Sequence, residues 1–230
     1  MNSLGLIGGT GPESTIDYYR LLTAQYREKA DGASPPVIIN SVDLKRMIAW
    51  MGANELDKVT DYLVAEFAKL EKAGVDFAAL TANTPHIVFD EVAPKSQIPL
   101  ISIVEATCAA AKTRKLKRLA LLGTRYTMQA NFYGDVFVRE EIELHVPSPH
   151  DQDYIHEKYF SELVPGKLLP ETRAGLLAIV DRMKATSDID GVILAGTELP
   201  LILRDVEHNG IPLLDTTAIH VEAAVTHILS

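Results

Sequence analysis

Leu4-Gly5-Leu6-Ile7-Gly8-Gly9 and Leu119-Ala120-Leu121-Leu122-Gly123-Thr124 are one short phrase written twice, 115 residues apart. Each is an apolar run of strand length that ends in glycine. Two further pairs keep nearly the same offset. Phe77–Thr84 (FAALTANT) matches Gly191–Glu198 (GVILAGTE) at 114, and Ile98–Ser102 (IPLIS) matches Ile211–Asp215 (IPLLD) at 113. Parallel strands resemble one another, so one pair would say little. Three pairs in one order predict two similar α/β halves of roughly 110 residues each.

Strand patterns are read at Ser3–Ile7, Pro36–Val42, Val75–Leu80, Pro99–Ser102, Arg118–Leu122, Ile142–Val146, Gly191–Leu194 and Pro212–Leu214. Most lead through a turn into a helical pattern. Glu13–Ala30 follows Pro12 and carries apolar residues at Ile16, Tyr19, Leu22 and Tyr26. Glu55–Ala73 repeats the pattern and ends before Gly74, and Pro170–Thr186 is a third such helix. Strand and helix in alternation imply parallel sheets with crossover helices. The expected fold is α/β, with two pseudo-symmetric Rossmann-like domains, each a small parallel sheet flanked by helices. Residues 1–97 plus about 210–230 would form the first domain and 98–209 the second. Ligands of such sheets bind beyond the carboxyl ends of the strands. Paired loops, Gly8–Thr15 with Gly123–Met128 and Ala82–His86 with Gly196–Pro200, are therefore expected to line an active-site cleft between the domains.

Composition narrows the function. The 230 residues are 47% hydrophobic and 23% charged, with 22 basic against 31 acidic side chains and a net charge of −9. So acidic a chain gains little from displacing phosphate counterions, and no nucleic-acid partner is expected. One cysteine permits neither an internal disulfide nor a thiolate zinc cluster. No apolar run is long enough to span a bilayer, and the first residues lack a basic secretion signal. A cytoplasmic protein without a membrane partner is expected.

Gly8-Gly9-Thr10-Gly11-Pro12-Glu13-Ser14-Thr15 is a glycine-rich strand-to-helix turn. Gly9, Gly11 and Ser14 nearly fit a dinucleotide motif, but Glu13 would place negative charge where a pyrophosphate should sit. The glycines also suit a tight turn with no ligand. Thr10, Ser14 and Thr15 offer hydroxyls to a small carboxylate. Asn83-Thr84-Pro85-His86 adds donors at the next strand end, where His86 is either a catalytic or a structural group. Thr124 and Thr127 mirror the first turn, with Arg125 as a ligand residue or a surface ion-pair partner. His145, His150 and His156 read as a solvated polar loop, with no metal site. Cys108, within the Ala-rich helix Val104–Lys112, reads as a small core residue.

Taken together, GLIGGTGPESTIDYYR at the start, SVD at 41–43, ANTPH at 82–86, LLGTRYTMQANFY at 121–133, GTELPLI at 196–202 and PLLDTTAIH at 212–220 resemble the aspartate/glutamate racemase family over nearly the whole chain. The resemblance implies two pseudo-symmetric α/β domains, a homodimer, no metal or organic cofactor, and an amino-acid or small carboxylate ligand. It implies proton exchange at an amino-acid α-carbon by two thiols, one from each domain. Those thiol positions hold Ala82 and Gly196. Ordinary two-cysteine racemisation is therefore not expected, and the lost thiols should leave room for a bulkier ligand. His86, Asp43, Glu198 and His220 are the candidate substitute proton carriers. Thr10, Ser14, Thr15, Asn83, Thr84, Thr124, Thr127 and Thr197 are the candidate substrate-binding residues, and Lys45 and Arg46 the candidates for a distal carboxylate. An isomerase with unusual proton carriers, a silent amino-acid or dicarboxylate binder, and a different cofactor-free isomerase or lyase all remain open.

Overall fold

The computed structural model describes residues 1–230. The chain divides into two compact units, Met1–Ile103 with His220–Ser230, and Val104–Ile219. Both crossings come later than the expected 97/98 and about 210. The return crossing is late because Ile211–Asp215 pairs as a strand with Gly191–Ala195 and so belongs to the second sheet.

In the first unit, β1 (Leu4–Gly8), β2 (Val37–Ser41), β3 (Phe77–Leu80) and β4 (Leu100–Ile101) lie in the order β2-β1-β3-β4. All pairs are parallel, with Leu4 opposite both Val37 and Phe77. The central β1 and β3 are apolar and buried along their whole length, as strands covered on both faces must be. The helix Pro12–Lys29 buries Tyr18, Leu22 and Tyr26 at a four-residue spacing. These join Leu4, Leu6, Phe77 and Ala79 with Val221, Ala224, Val225 and Ile228 in one core. The last four residues come from the end of the chain, in the helix Thr216–Leu229.

The second unit repeats this plan. Here β5 (Arg118–Gly123), β6 (Glu143–His145), β7 (Gly191–Ala195), β8 (Glu207–His208) and β9 (Ile211–Asp215) follow the order β6-β5-β7-β9-β8. Setting β8 aside, each strand has a counterpart at the same place in the first sheet. The sequence repeat therefore corresponds to a repeated topology. The antiparallel β8 is an addition, paired through Glu207 with Pro212 and His208 with Ile211. The core combines β5 and β7 with Leu176, Ile179, Val180 and Met183 of the helix Pro170–Ser187.

One region departs from its sequence reading. Pro149–Lys158 is a helix, not a polar loop, and runs directly into a π-helical turn at Tyr159–Leu163. Ser148 caps it by accepting a hydrogen bond from the Asp151 N–H at 3.3 Å, and Pro149 opens the first turn. His150 and His156 lie on this helix, while His145 ends β6. No group of three or more His, Cys, Asp or Glu is arranged to hold a metal ion.

Candidate functional site

The carboxyl end of β1 passes into the glycine turn. Gly9 has φ +80° and Gly11 φ +144°, conformations that side-chain-bearing residues rarely adopt. A β-carbon on Gly9 would also press on the Val42 backbone. Glycine is thus required here by the turn itself. Thr15 Oγ1 accepts the Gly9 N–H at 2.9 Å and donates to the Gly11 carbonyl at 3.1 Å. Ser14 Oγ donates to the same carbonyl at 2.8 Å. Two of the three candidate hydroxyls thus brace the turn. The third is different: Thr10 is buried, and its Oγ1 has no hydrogen-bond partner.

At the end of β3, Ala82 and Asn83 are buried and Thr84 is half-buried. His86 lies in a 3-10 turn, Thr84–Val88. Its Nδ1–H donates to the Ala82 carbonyl at 2.9 Å, and its Nε2 accepts the Ile103 N–H at 3.2 Å. His220 is equally committed. Its Nε2–H donates to the Ile101 carbonyl at 3.0 Å, and its Nδ1 accepts from the Tyr18 hydroxyl. The two imidazoles meet edge to face at 6.4 Å. Burial, reinforced by the neighbouring His220, pulls His86 down to about 3. Burial likewise pulls His220 down to about 4. Both rings are therefore neutral at neutral pH, each fixed in one tautomer by its two bonds. They tie the strand ends together.

Asp43 is exposed and caps the helix Leu44–Gly52, accepting the Lys45 N–H at 2.9 Å. The Arg46 guanidinium lies over Trp50 at 4.7 Å and Tyr62 at 5.4 Å, so it is engaged by aromatic faces.

In the second unit, Thr124 caps the helix Arg125–Gln129 and accepts the Thr127 N–H at 3.3 Å. Arg125 forms an exposed ion pair with Asp153 at 2.8 Å, while its backbone N–H donates to His156 Nδ1 at 3.1 Å. His156 is held below its ordinary range, first by burial and then by the Arg125 charge. At the end of β7, Gly196, Thr197 and Glu198 are all buried. Thr197 Oγ1 donates to Glu198 Oε2 at 3.0 Å, and the Tyr159 hydroxyl donates to the same oxygen. The Tyr159 ring stands against Gly196. A β-carbon there would lie 2.6 Å from Cε2 and 2.8 Å from Oη of that tyrosine. The expectation of extra room is therefore corrected at this position, because an aromatic ring fills it. Burial, with the Glu198 charge second, raises the Tyr159 phenol well above its ordinary value. It stays protonated and donates steadily.

Two residues that sequence reasoning did not single out matter here. Tyr159 comes 39 residues before Glu198, in a segment to which no element was assigned. Thr217 stands just past β9, buried, with Oγ1 unpartnered. Its backbone N–H is capped by Asp215 Oδ1 at 2.8 Å. Cys108 is buried in the helix Ile103–Thr113, as expected. Burial and then Glu105 push its thiol up to about 11. A hollow of about 480 Å³ beside β6 contains Asp151 and Arg182, but these pair with each other.

These features define a duplicated α/β scaffold with polar side chains gathered at the carboxyl ends of two parallel sheets. The chain belongs to the Asp/Glu/Hydantoin racemase family, whose model matches residues 7–224. It is 26% identical over 235 residues to the broad specificity amino-acid racemase RacX of Bacillus subtilis (strain 168), covering 99% of this chain and 98% of that one. The structure of a Yersinia pestis protein, described as a candidate Asp/Glu racemase, is 30% identical with a TM-score of 0.89, and each chain is covered completely. An aspartate racemase homologue from Pyrococcus horikoshii OT3 is 29% identical, with a TM-score of 0.81 and complete coverage of both chains. Glutamate racemase from Francisella tularensis, solved with D-glutamate, shares the fold at 14% identity and a TM-score of 0.70, covering 99% of this chain and 81% of that one.

Proposed function

We propose that this chain binds a small amino acid, acidic in the first instance, at its strand carboxyl ends, and that it does so without two-thiol racemisation. One observation carries the reading. Each unit has a threonine hydroxyl at a strand end, Thr10 in the first and Thr217 in the second, that is buried and unpartnered. Buried polar groups are normally satisfied, and one that is not costs about 1–3 kcal/mol. Within each unit, a ligand that supplies the missing partner accounts for its unpaired hydroxyl. Asn83 and Thr84 past the end of β3 in the first unit, and Thr124, Thr127 and Thr197 past the ends of β5 and β7 in the second, offer further polar groups at the carboxyl edge of each sheet.

The second half of the reading follows from chemistry. Ala82 and Gly196 have no proton to exchange. His86 and His220 spend both ring nitrogens on the fold, and Asp43 spends a carboxylate oxygen on a helix cap. Glu198, held by Tyr159 and Thr197 at the end of β7, is the substitute whose setting most favours a second reading: an isomerase in which this carboxylate carries the proton. The ligand would bind without metal or organic cofactor.

A cytoplasmic homodimer belongs to the same proposal. Ile16 and Tyr19 on the first helix, and Ile38 and Ile39 on the edge strand β2, are exposed apolar side chains that a second copy could cover. The free, buried thiol of Cys108 suits a reducing compartment.

The test combines calorimetry with both enantiomers of aspartate and glutamate, and α-proton exchange in D2O followed by NMR. Binding without exchange above the buffer control is expected. Exchange by the wild-type protein would move the assignment to the isomerase, and failure of every acidic amino acid to bind would remove the acidic-ligand reading.

A further inference from the structure

Resting on the binding reading above, we propose that His156 is a positioning residue for the second unit's ligand turn, holding Thr124 and Thr127 in place while its ring is neutral and releasing them when the ring is protonated. Two contacts made by one residue carry this. The Arg125 N–H donates to His156 Nδ1 at 3.1 Å, and the Arg125 guanidinium pairs with Asp153 at 2.8 Å. Asp153 and His156 stand three apart on the helix Pro149–Lys158 and so share a face. That helix grips Arg125 by both backbone and side chain.

Arg125 lies between the two hydroxyl residues. It opens the helix Arg125–Gln129, for which Thr124 is the N-cap. Five residues are too few for a helix to hold itself. Thr124 Oγ1 accepts the Thr127 N–H, and the Arg125 N–H, another free donor at the helix start, has His156 as its acceptor. Met128 anchors the far end in the core. The turn is fitted closely to its strand, since a β-carbon on Gly123 would lie 3.1 Å from Thr127 Cβ. A shift of the Arg125 backbone is therefore passed to both threonines.

The ring itself is fixed by aromatic neighbours, Tyr126 at 6.1 Å and Phe160 at 5.0 Å, both edge to face. Arg125 and Asp153 are the charged groups that act on it. β5 and the helix Pro170–Ser187, also packed against Pro149–Lys158, bring none. Burial and then the Arg125 charge outweigh Asp153, so the ring is neutral at neutral pH with its proton on Nε2. Protonation puts a second hydrogen on Nδ1, aimed at the Arg125 N–H. The acceptor is lost, and donor then faces donor.

The experiment follows the isotope-labelled chain by NMR and aspartate binding by calorimetry, from about pH 7.5 down to about pH 5, on wild type, His156→Asn and His156→Phe. In the wild type, the Arg125 and Thr127 amides should shift with the same midpoint as the His156 ring. Aspartate affinity should fall roughly 3- to 10-fold over the same range, the worth of one hydrogen bond. His156→Phe keeps a ring without an acceptor and should bind weakly at every pH. His156→Asn offers an acceptor that does not titrate, so it should recover most of the affinity lost in His156→Phe and show no pH slope. Thermal unfolding records the stability of each variant. A merely structural histidine would change that stability and leave the pH slope of binding in place. Amides that ignore the ring's titration, or the same slope in His156→Asn as in wild type, would overturn the clamp. Should no acidic amino acid bind at any pH, the binding reading falls, and the amide titration alone decides the clamp.

Discussion

The ring of Tyr159 occupies the space into which any side chain on Gly196 would have to grow, with its Cε2 2.6 Å from the position of a β-carbon. Real β-carbons essentially never come so close to a neighbour, so a residue larger than glycine at 196 must displace the ring or the strand. Gly196→Cys is therefore expected to destabilise the protein by about 1–3 kcal/mol, the usual cost of overpacking. Tyr159→Ala is costly by itself, since it empties part of the core and removes a donor to Glu198, but in its presence Gly196→Cys should add little further loss. Urea unfolding of the two single variants and the double variant checks this, and additive effects would show that the ring moves aside freely. The same cycle decides how a thiol can be reinstalled: Ala82→Cys/Gly196→Cys needs Tyr159 cut back before α-proton exchange can be tested fairly.

Thr10 and Thr15 sit in one turn but do opposite things. Thr15→Val removes the acceptor of the Gly9 N–H and should cost about 1 kcal/mol of stability. Thr10→Val removes a hydroxyl that no group in the chain satisfies. It is expected to leave the ligand-free protein as stable as before, or slightly more so, while weakening ligand binding. Thermal unfolding with and without aspartate separates the two.

The neutral histidine pair makes the first unit acid-sensitive. His86 and His220 titrate near 3 and 4 when folded, against about 6.5 in an unfolded chain. Between those values the unfolded chain binds more protons. Stability is then full above about pH 6.5 and falls as the pH drops toward 4, by up to about 1.4 kcal/mol per pH unit for each histidine. Urea midpoints measured from about pH 7 down to about pH 5 should show the slope. His220→Gln should reduce it, and an unchanged slope would place the acid sensitivity elsewhere.

Cys108 should behave as a silent thiol. With its pKa near 11 and its side chain buried, the thiolate is scarce and shielded. Labelling by Ellman's reagent is expected only after unfolding. Fast labelling of the folded protein would contradict the packing of the helix Ile103–Thr113.

The fold was legible because its signals were local and repeated. Leu4–Gly8 and Arg118–Gly123 announce themselves as buried strands that end in glycine, and the eight strand patterns all correspond to strands. The strand β8 escaped because two residues, Glu207 and His208, carry no periodicity. Pro149–Lys158 was hidden by polar composition, although Ser148-Pro149 with Asp151 is a helix-start signal. At the candidate site, Thr10 was legible from the glycine-rich turn that carries it, and Glu198 from the resemblance of its GTELPLI segment to the racemase family. Sequence reasoning could not reach Tyr159, whose role depends on a contact spanning 39 residues. Nor could it tell that Ser14 and Thr15 would spend their hydroxyls on the turn, since donors and acceptors pair only once the backbone is folded.

The helix Thr216–Leu229 places Val221, Ala224, Val225 and Ile228 in the core built around Leu4 and Leu6. During translation, then, the first sheet to emerge from the ribosome is the last to be sealed. It must wait, with β1 and β3 lacking part of their cover, until the whole of Val104–Ile219 has been made. The second unit, contiguous in the chain, faces no such delay, so nascent-chain aggregation and chaperone capture should fall on the half that is synthesised first.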